Sequence, residues 1–338
     1  MTGEKKYCGI DISNLTLDIC YANEEGIHQY HQLSNDTMGF KKLLELTNEG
    51  CHFVMEYTGV YHMNLIFYLH EKKCAYSVVN GIQIKRYIQM HLERNKSDRK
   101  DAQRIYEYGY ERQPPLYEMP DSLYFECKSL SNAIDTFTQE ITSFSNKIHA
   151  LKKQPTETKM IQKSYEKVIK NMQKEKKDLE QKLEEKLREW QPELVKKVGS
   201  VMSIGKRATA LLIIKTQGFA HTDSYQQLIS FAGLSPVIYQ SGSSIKGKSK
   251  ICKQGGDELR HTLYMCALNA KENNLACKQL YERLVAKGKN KKLALIAVCN
   301  KLLKQVYGVV KNDTIFILNN YIYKLSNLAA SFIPIYLI

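Results

Sequence analysis

The stretch Tyr7-Cys-Gly-Ile-Asp-Ile-Ser-Asn-Leu-Thr-Leu-Asp-Ile-Cys-Tyr-Ala22 decides the fold class of the first third of the chain. Two short apolar runs flank a polar break at Ser13-Asn14, so Tyr7–Ser13 and Leu15–Ala22 read as strands around a tight turn. A third strand is expected near Ile27–Leu33. Thr37–Asn48 has helical spacing through Phe40, Leu43, Leu44 and Leu46. Cys51–Tyr57 then reads as a strand, Tyr61–Lys72 as a helix and Tyr76–Asn80 as a last strand. Three strands followed by alternating helix and strand predict an α/β domain with a mixed sheet. A charged helical stretch, Ile82–Arg112, comes next and ends at Pro114-Pro115.

Beyond it the period changes. Leu123, Cys127, Leu130, Ile134, Phe137, Ile141, Phe144, Ile148 and Leu151 alternate spacings of four and three, an unbroken heptad seam. Gln154-Pro155-Thr156 interrupts it, and a Lys/Glu-laced helix runs on to Trp190. The two helices predict an antiparallel coiled-coil hairpin about 45 Å long at ~1.5 Å per residue, an arm suited to self-association. After Pro192 the pattern is mostly helical. Ser235–Gly256, rich in Gly, Ser and Lys, reads as an extended or hairpin-like loop between helices Tyr225–Ala232 and Asp257–Lys271. The expected organisation is residues 1–115 as an α/β domain, 120–192 as the arm and 193–338 as a mostly α domain.

Composition narrows the function classes. The 338 residues are 43% hydrophobic with 7 Pro and 18 Gly, which excludes a wholly disordered or collagen-like chain. No run approaches the roughly 18 consecutive apolar residues of a membrane span. The apolar tail Leu325–Ile338 contains Ser326, Asn327, Ser331 and Pro334 and reads as a packed terminus. No apolar signal segment follows Met1, so a cytoplasmic protein is expected. The 9 cysteines form no C-x-x-C pair and read as small core hydrophobes in a reducing compartment. Ser241–Lys304 holds 14 Lys/Arg and 4 Asp/Glu, a local net of +10 within a total of +14. Charge so concentrated favours a polyanionic partner.

Four acids stand where chemistry would use them. Asp11 lies inside the first strand, where burying an acid is costly without a partner. Glu56 closes the strand His52–Tyr57, at the strand end where open α/β sheets place ligands. Asp98 and Asp101 in Lys96-Ser-Asp-Arg-Lys-Asp-Ala102 are an i, i+3 pair on one helix face, with Ser97 as its cap. Clustered carboxylates repel one another unless a cation lies among them, and their hard oxygens favour Mg²⁺ or Mn²⁺. Such ions can activate a nucleophile and stabilise a leaving oxygen in phosphodiester cleavage.

Gly9-Ile-Asp-Ile-Ser13, Glu56-Tyr-Thr-Gly-Val-Tyr61 and Lys96–Ala102 resemble the DEDD motifs of the IS-one-ten insertion-sequence transposases, relatives of the pilin-gene invertases. Phe231-Ala-Gly-Leu-Ser-Pro236, Gln240-Ser-Gly-Ser-Ser244, Ile251-Cys-Lys-Gln-Gly255 and Leu259-Arg-His-Thr-Leu-Tyr-Met265 are similar to that family's C-terminal domain. The resemblance implies a ribonuclease-H-like (RuvC-like) N-terminal domain with Asp11, Glu56, Asp98 and Asp101 holding Mg²⁺. It implies Ser241 as the nucleophile that becomes covalently linked to DNA, with Ser243, Ser244 and Ser235 as neighbouring alternatives. Donor and target DNA, a guide RNA from the element's own end, and a homodimer that pairs into a tetramer would be the partners.

Lys246, Lys248, Lys250, Lys253 and Arg260 are candidate phosphate contacts. Lys206 and Arg207 join them, following Val201-Met-Ser-Ile-Gly205 where relatives carry a Gly-Ile-Gly hairpin; here Ser203 replaces the first glycine. Three other readings remain: a sugar kinase or actin-like ATPase, which should carry a glycine-rich turn where this chain has Ser13-Asn14-Leu15; a junction resolvase using metal-activated water; and a non-catalytic nucleic-acid binder.

Overall fold

The structure, a computed structural model, describes residues 6–47, 50–57, 59–91, 97–155, 157–237, 240–241, 245–246, 250–253 and 256–316. The tail Leu325–Ile338 lies outside them. The chain divides into two units, Met1–Met119 and Pro120–Ile338.

In the first unit the opening hairpin forms as β1 (Tyr7–Ile12) and β2 (Thr16–Ala22), followed by β3 (His28–Ser34). The turn is closed by the Ser13 amide donating to Thr16 O at 2.9 Å. Helix α1 (Thr37–Leu46) starts where the Asp36 carboxylate accepts from the amides of Met38 and Gly39, an N-cap that holds the Asp36 carboxyl below its usual range. Strand β4 (His52–Glu56), helix α2 (Met63–Glu71) and strand β5 (Ala75–Val79) complete a sheet of order β3-β2-β1-β4-β5. The β1–β2 and β2–β3 pairs are antiparallel, whereas β1–β4 and β4–β5 are parallel, as the sequence pattern predicts for a mixed sheet.

Alternation along the strands divides this unit's core in two. Cys8, Ile10, Leu17, Ile19, Phe53 and Met55 pack with Phe40 and Leu43 of α1 and Leu65, Ile66 and Leu69 of α2. Tyr7, Val54 and Val79 join Ile84 and Ile105 on two further helices, α3 (Gly81–Met90) and α4 (Asp98–Arg112). The stretch read as one charged helical region is therefore two helices.

The second unit opens with two long helices, α5 (Ser122–Leu151) and α6 (Lys159–Trp190). They run antiparallel. The Phe144 and Tyr165 rings meet edge to face at 5.2 Å near the turn, and Lys186 reaches Glu126 at 3.3 Å near the base. Their base joins a single core. Cys127, Ile134, Leu183 and Leu187 cluster with α7 (Pro192–Ser200), α8 (Lys206–Lys215), α9 (Tyr225–Phe231), α10 (Asp257–Asn273), α11 (Leu275–Ala286) and α12 (Lys291–Lys311). By length and composition α12 is apolar enough to cross a membrane, but its Val298, Leu302, Leu303 and Val306 are fully buried at the centre of this core. Between α9 and α10, short strands pair as β6 (Pro236–Val237) with β9 (Lys250–Ile251), and β7 (Gln240–Ser241) with β8 (Ile245–Lys246). All nine cysteines are free and six are buried, in keeping with their reading as core residues.

Candidate functional site

Because side chains alternate across a strand, Gly9 and Asp11 share one face of β1 while Cys8, Ile10 and Ile12 fill the opposite core. The hairpin register sets Asp11 directly opposite Asp18. Asp18 is only 2% exposed and accepts from Tyr30 Oη and, at 3.1 Å, from Gln32 Nε2. The Arg99 guanidinium lies over the Tyr30 ring at 5.3 Å, which links this pair to the first turn of α4. Sequence reading missed Asp18. Its signal was the turn itself, since a hairpin closed between Ser13 and Thr16 places the third residue before Asn14 opposite the third after Leu15.

Glu56 ends β4, where its carboxylate rests against the start of α3. A Cβ built on Gly81 would overlap Glu56 Oε1, so a larger residue there would make the carboxylate move from this position. Asp98 and Asp101 occupy the first turn of α4, where the Ser97 hydroxyl accepts from the Lys100 amide at 3.4 Å. The cap and the i, i+3 pair are thus as the sequence predicts.

Two glycines let α4 lie directly on the sheet. At Gly9 the helix backbone comes so close that a Cβ would overlap Tyr106 N and stand 2.5 Å from Ala102 O. Further along, a Cβ on Gly109 would meet Val54 Cγ2 at 2.8 Å. This contact brings the acidic turn of α4 toward Asp11.

The electrostatics record the convergence. Burial first, then the neighbouring Asp101, Asp98, Glu56 and Asp18, push the Asp11 carboxyl up to about 6. Acids from two other stretches of sequence, and Asp18 across the hairpin, therefore act on Asp11. Among the described residues, no three His, Cys, Asp or Glu side chains stand close enough to form a finished metal cage. The carboxylates sense one another without meeting.

In the second unit Ser241 lies on β7, its backbone paired with Ile245. Lys248, Ser243 and Ser244 fall outside the described residues, as do the side chains of Ser241 and Lys246. Lys250 and Lys253 are exposed. Lys206 pairs with Glu184 at 2.8 Å, and Arg260 pairs with Asp257. Arg207 bridges Asp135 on α5 and Glu258 on α10, the latter at 2.5 Å, and also reaches Ser131 Oγ at 3.3 Å.

The turn before Lys206 forms despite its missing glycine. Ser203 adopts φ +75°, the left-handed region that favours glycine, and its buried hydroxyl has no hydrogen-bond partner among the described residues. Ser203→Gly is expected to stabilise the protein by about 1 kcal/mol, raising its melting temperature by roughly 2–4 °C. A lower melting temperature for the variant would show that the hydroxyl contributes more than the strain costs.

Two comparisons fit this layout. A family model described as a transposase matches residues 8–156, and places the chain among the transposases. A second, described as the transposase IS116/IS110/IS902 family, matches residues 195–282, and the chain belongs to this IS110 family, whose activity is the cutting and rejoining of DNA. The pilin gene-inverting protein of Moraxella bovis is 27% identical over 328 residues, covering 92% of this chain and 98% of the relative. The protein of the same name from Moraxella lacunata matches to the same extent. An uncharacterized 43.6 kDa protein of insertion element IS110 from Streptomyces coelicolor is 25% identical over 118 residues, 35% of this chain and 29% of the relative.

Proposed function

We propose that this chain is an RNA-guided recombinase that mobilises its own element, cutting and rejoining donor and target DNA through a phosphoserine at Ser241. The observation that supports it most is the close docking at Gly9 of α4, whose first turn carries Asp98 and Asp101, onto the strand that carries Asp11. The strand order and the placing of acids at mid-strand, strand end and the following helix support a RuvC-like reading of residues 1–115. The long antiparallel helices support 120–192 as a coiled-coil dimerisation arm, and 193–338 is then the transposase domain carrying the serine. The assembled form is a homodimer, paired into a tetramer when two DNA sites are brought together, acting in the cytoplasm at the nucleoid.

The donor chemistry suits a divalent ion, because hard carboxylate oxygens that repel one another are what Mg²⁺ or Mn²⁺ relieves. Asp11, Glu56, Asp98 and Asp101 would hold it, and when bound it supplies charge neutralisation at the phosphate and activation of the attacking oxygen. Ser241 Oγ gives up its proton and bonds to phosphorus as the bond to the deoxyribose oxygen breaks. That oxygen takes a proton and leaves as a hydroxyl end. Rejoining reverses the exchange: a hydroxyl from another strand attacks the phosphoserine and the serine is released.

The test is expression with the native flanks and a DNA substrate, followed by denaturing electrophoresis for a covalent protein–DNA species. Wild type is expected to form the adduct and Ser241→Ala to lose it. An adduct that survives moves the nucleophile to Ser243, Ser244 or Ser235, and cleavage without any adduct indicates a resolvase using activated water. A second reading, a DNA invertase acting without a guide, is favoured by the two pilin gene-inverting relatives. Sequencing the nucleic acid that purifies with the protein separates the two: a discrete RNA from the gene's own flank supports guidance, and its absence supports the invertase.

A further inference from the structure

A second group of basic residues lies on the last two helices rather than on the Ser241 segment of the sequence. Leu275–Lys311, comprising α11, α12 and their link, carries nine Lys/Arg and one acid, Glu282. Between the two helices lies a cavity of about 740 Å³, lined by Gln279 and Arg283 of α11 and by Asn300, Lys301 and Lys304 of α12. Ala276 and Ala297 keep its floor low. Among the described residues no carboxylate forms an ion pair with Arg283, Lys301 or Lys304, in contrast to Lys206, Arg207 and Arg260. Lys304 is instead held over the Tyr225 ring at 4.5 Å.

Three like charges around one open groove repel one another, and no carboxylate among the described residues pairs with them to relieve this. A polyanion does. The groove is also larger than a single phosphate needs, and the amides of Gln279 and Asn300 add neutral donors beside the cations. We propose that the α11–α12 groove binds the phosphodiester backbone of a nucleic-acid strand through Arg283, Lys301 and Lys304. This rests on the reading of the chain as a DNA recombinase and names contact residues other than Ser241 and the four acids. Either of two strands carries this chemistry, duplex DNA or single-stranded RNA.

The experiment titrates full-length protein with a labelled DNA duplex and, separately, with a single-stranded RNA of equal length, over a range of salt concentrations. Wild type is compared with the triple variant Arg283→Gln, Lys301→Gln, Lys304→Gln and with the charge-preserving Arg283→Lys, Lys301→Arg, Lys304→Arg. Each phosphate contact contributes about 0.9 to the slope of log K on log salt for duplex DNA and about 0.7 for a single strand. The neutral triple is expected to lower the slope by about 2 to 3 and to weaken binding roughly a hundredfold at 0.15 M salt. The charge-preserving triple should keep the slope. The probe whose slope falls identifies the strand.

If wild type binds and the neutral triple keeps its slope on both probes, the groove proposal is overturned while the recombinase reading stands. If the charge-preserving triple loses as much as the neutral one, packing rather than charge is responsible and the proposal also fails. If wild type binds neither probe, the groove and the recombinase reading fall together.

Discussion

Replacing Asp11 by Asn is expected to abolish DNA cleavage and, at pH 7.5, to raise the melting temperature of the metal-free protein. The two effects share one origin. Burial first, and then the neighbouring acids, push the Asp11 carboxyl up to about 6 from 3.8, so the folded state binds a proton more readily than the unfolded chain. A carboxyl raised in this way destabilises the fold where it is ionised. Wild type therefore loses stability as pH rises through the window from about 4 to about 6, and the loss is complete above it. Asn carries no charge and removes that slope. The gain at pH 7.5, discounted for the partial solvent exposure of Asp11, is about 1–2 kcal/mol, and it vanishes near pH 4.

Activity should fall on the order of a hundredfold or more, because a neutral amide supplies neither charge nor a good ligand. Melting curves at pH 4 and pH 7.5 with a cleavage assay decide the matter. A variant that cuts DNA at close to the wild-type rate removes Asp11 from the reaction. One with no gain in melting temperature at pH 7.5 shows that the neighbouring acids do not press on it.

Gly9→Ala acts on the same site without touching a charge. The added methyl would overlap Tyr106 N and crowd Ala102 O, both backbone atoms of α4. A flexible side chain could swing aside, but a helix backbone cannot, so α4 must lift from β1 along its length. Overpacking against rigid neighbours costs about 3 kcal/mol, enough to lower the melting temperature of the first unit by roughly 10 °C. The lift also carries Asp98 and Asp101 away from Asp11, so cleavage should fall at least tenfold at temperatures where the variant is fully folded. Near-wild-type melting together with full activity would falsify the close docking of α4 on β1.

What the sequence revealed and what it hid divide along physical lines. Local signals were legible: the polar break at Ser13-Asn14, the Ser97 cap and the four-three spacing from Leu123 to Leu151 each correspond to a formed element. The four acids could be recognised by type and position, and Asp98, Asp101 and Glu56 act on the Asp11 carboxyl without closing into a metal cage among the described residues. Docking was not legible. Nothing in Gly9-Ile-Asp-Ile indicates that the distant helix α4 rests on the glycine. Nor did the count of basic residues show which were already neutralised. Arg207 and Lys206 spend their charge on Asp135, Glu258 and Glu184, whereas Arg283, Lys301 and Lys304 meet no acid among the described residues.

The Arg207 bridge has a mechanical meaning as well. Asp135 lies on α5, Arg207 starts α8, and Glu258 lies in the first turn of α10, just past the loop that carries Ser241. Strung together, the three side chains form a tie rod from the long hairpin to the exit of that loop. A displacement of α5 that keeps both ion pairs must carry the first turn of α10 with it, so the long hairpin and the exit of the Ser241 segment are linked through one arginine.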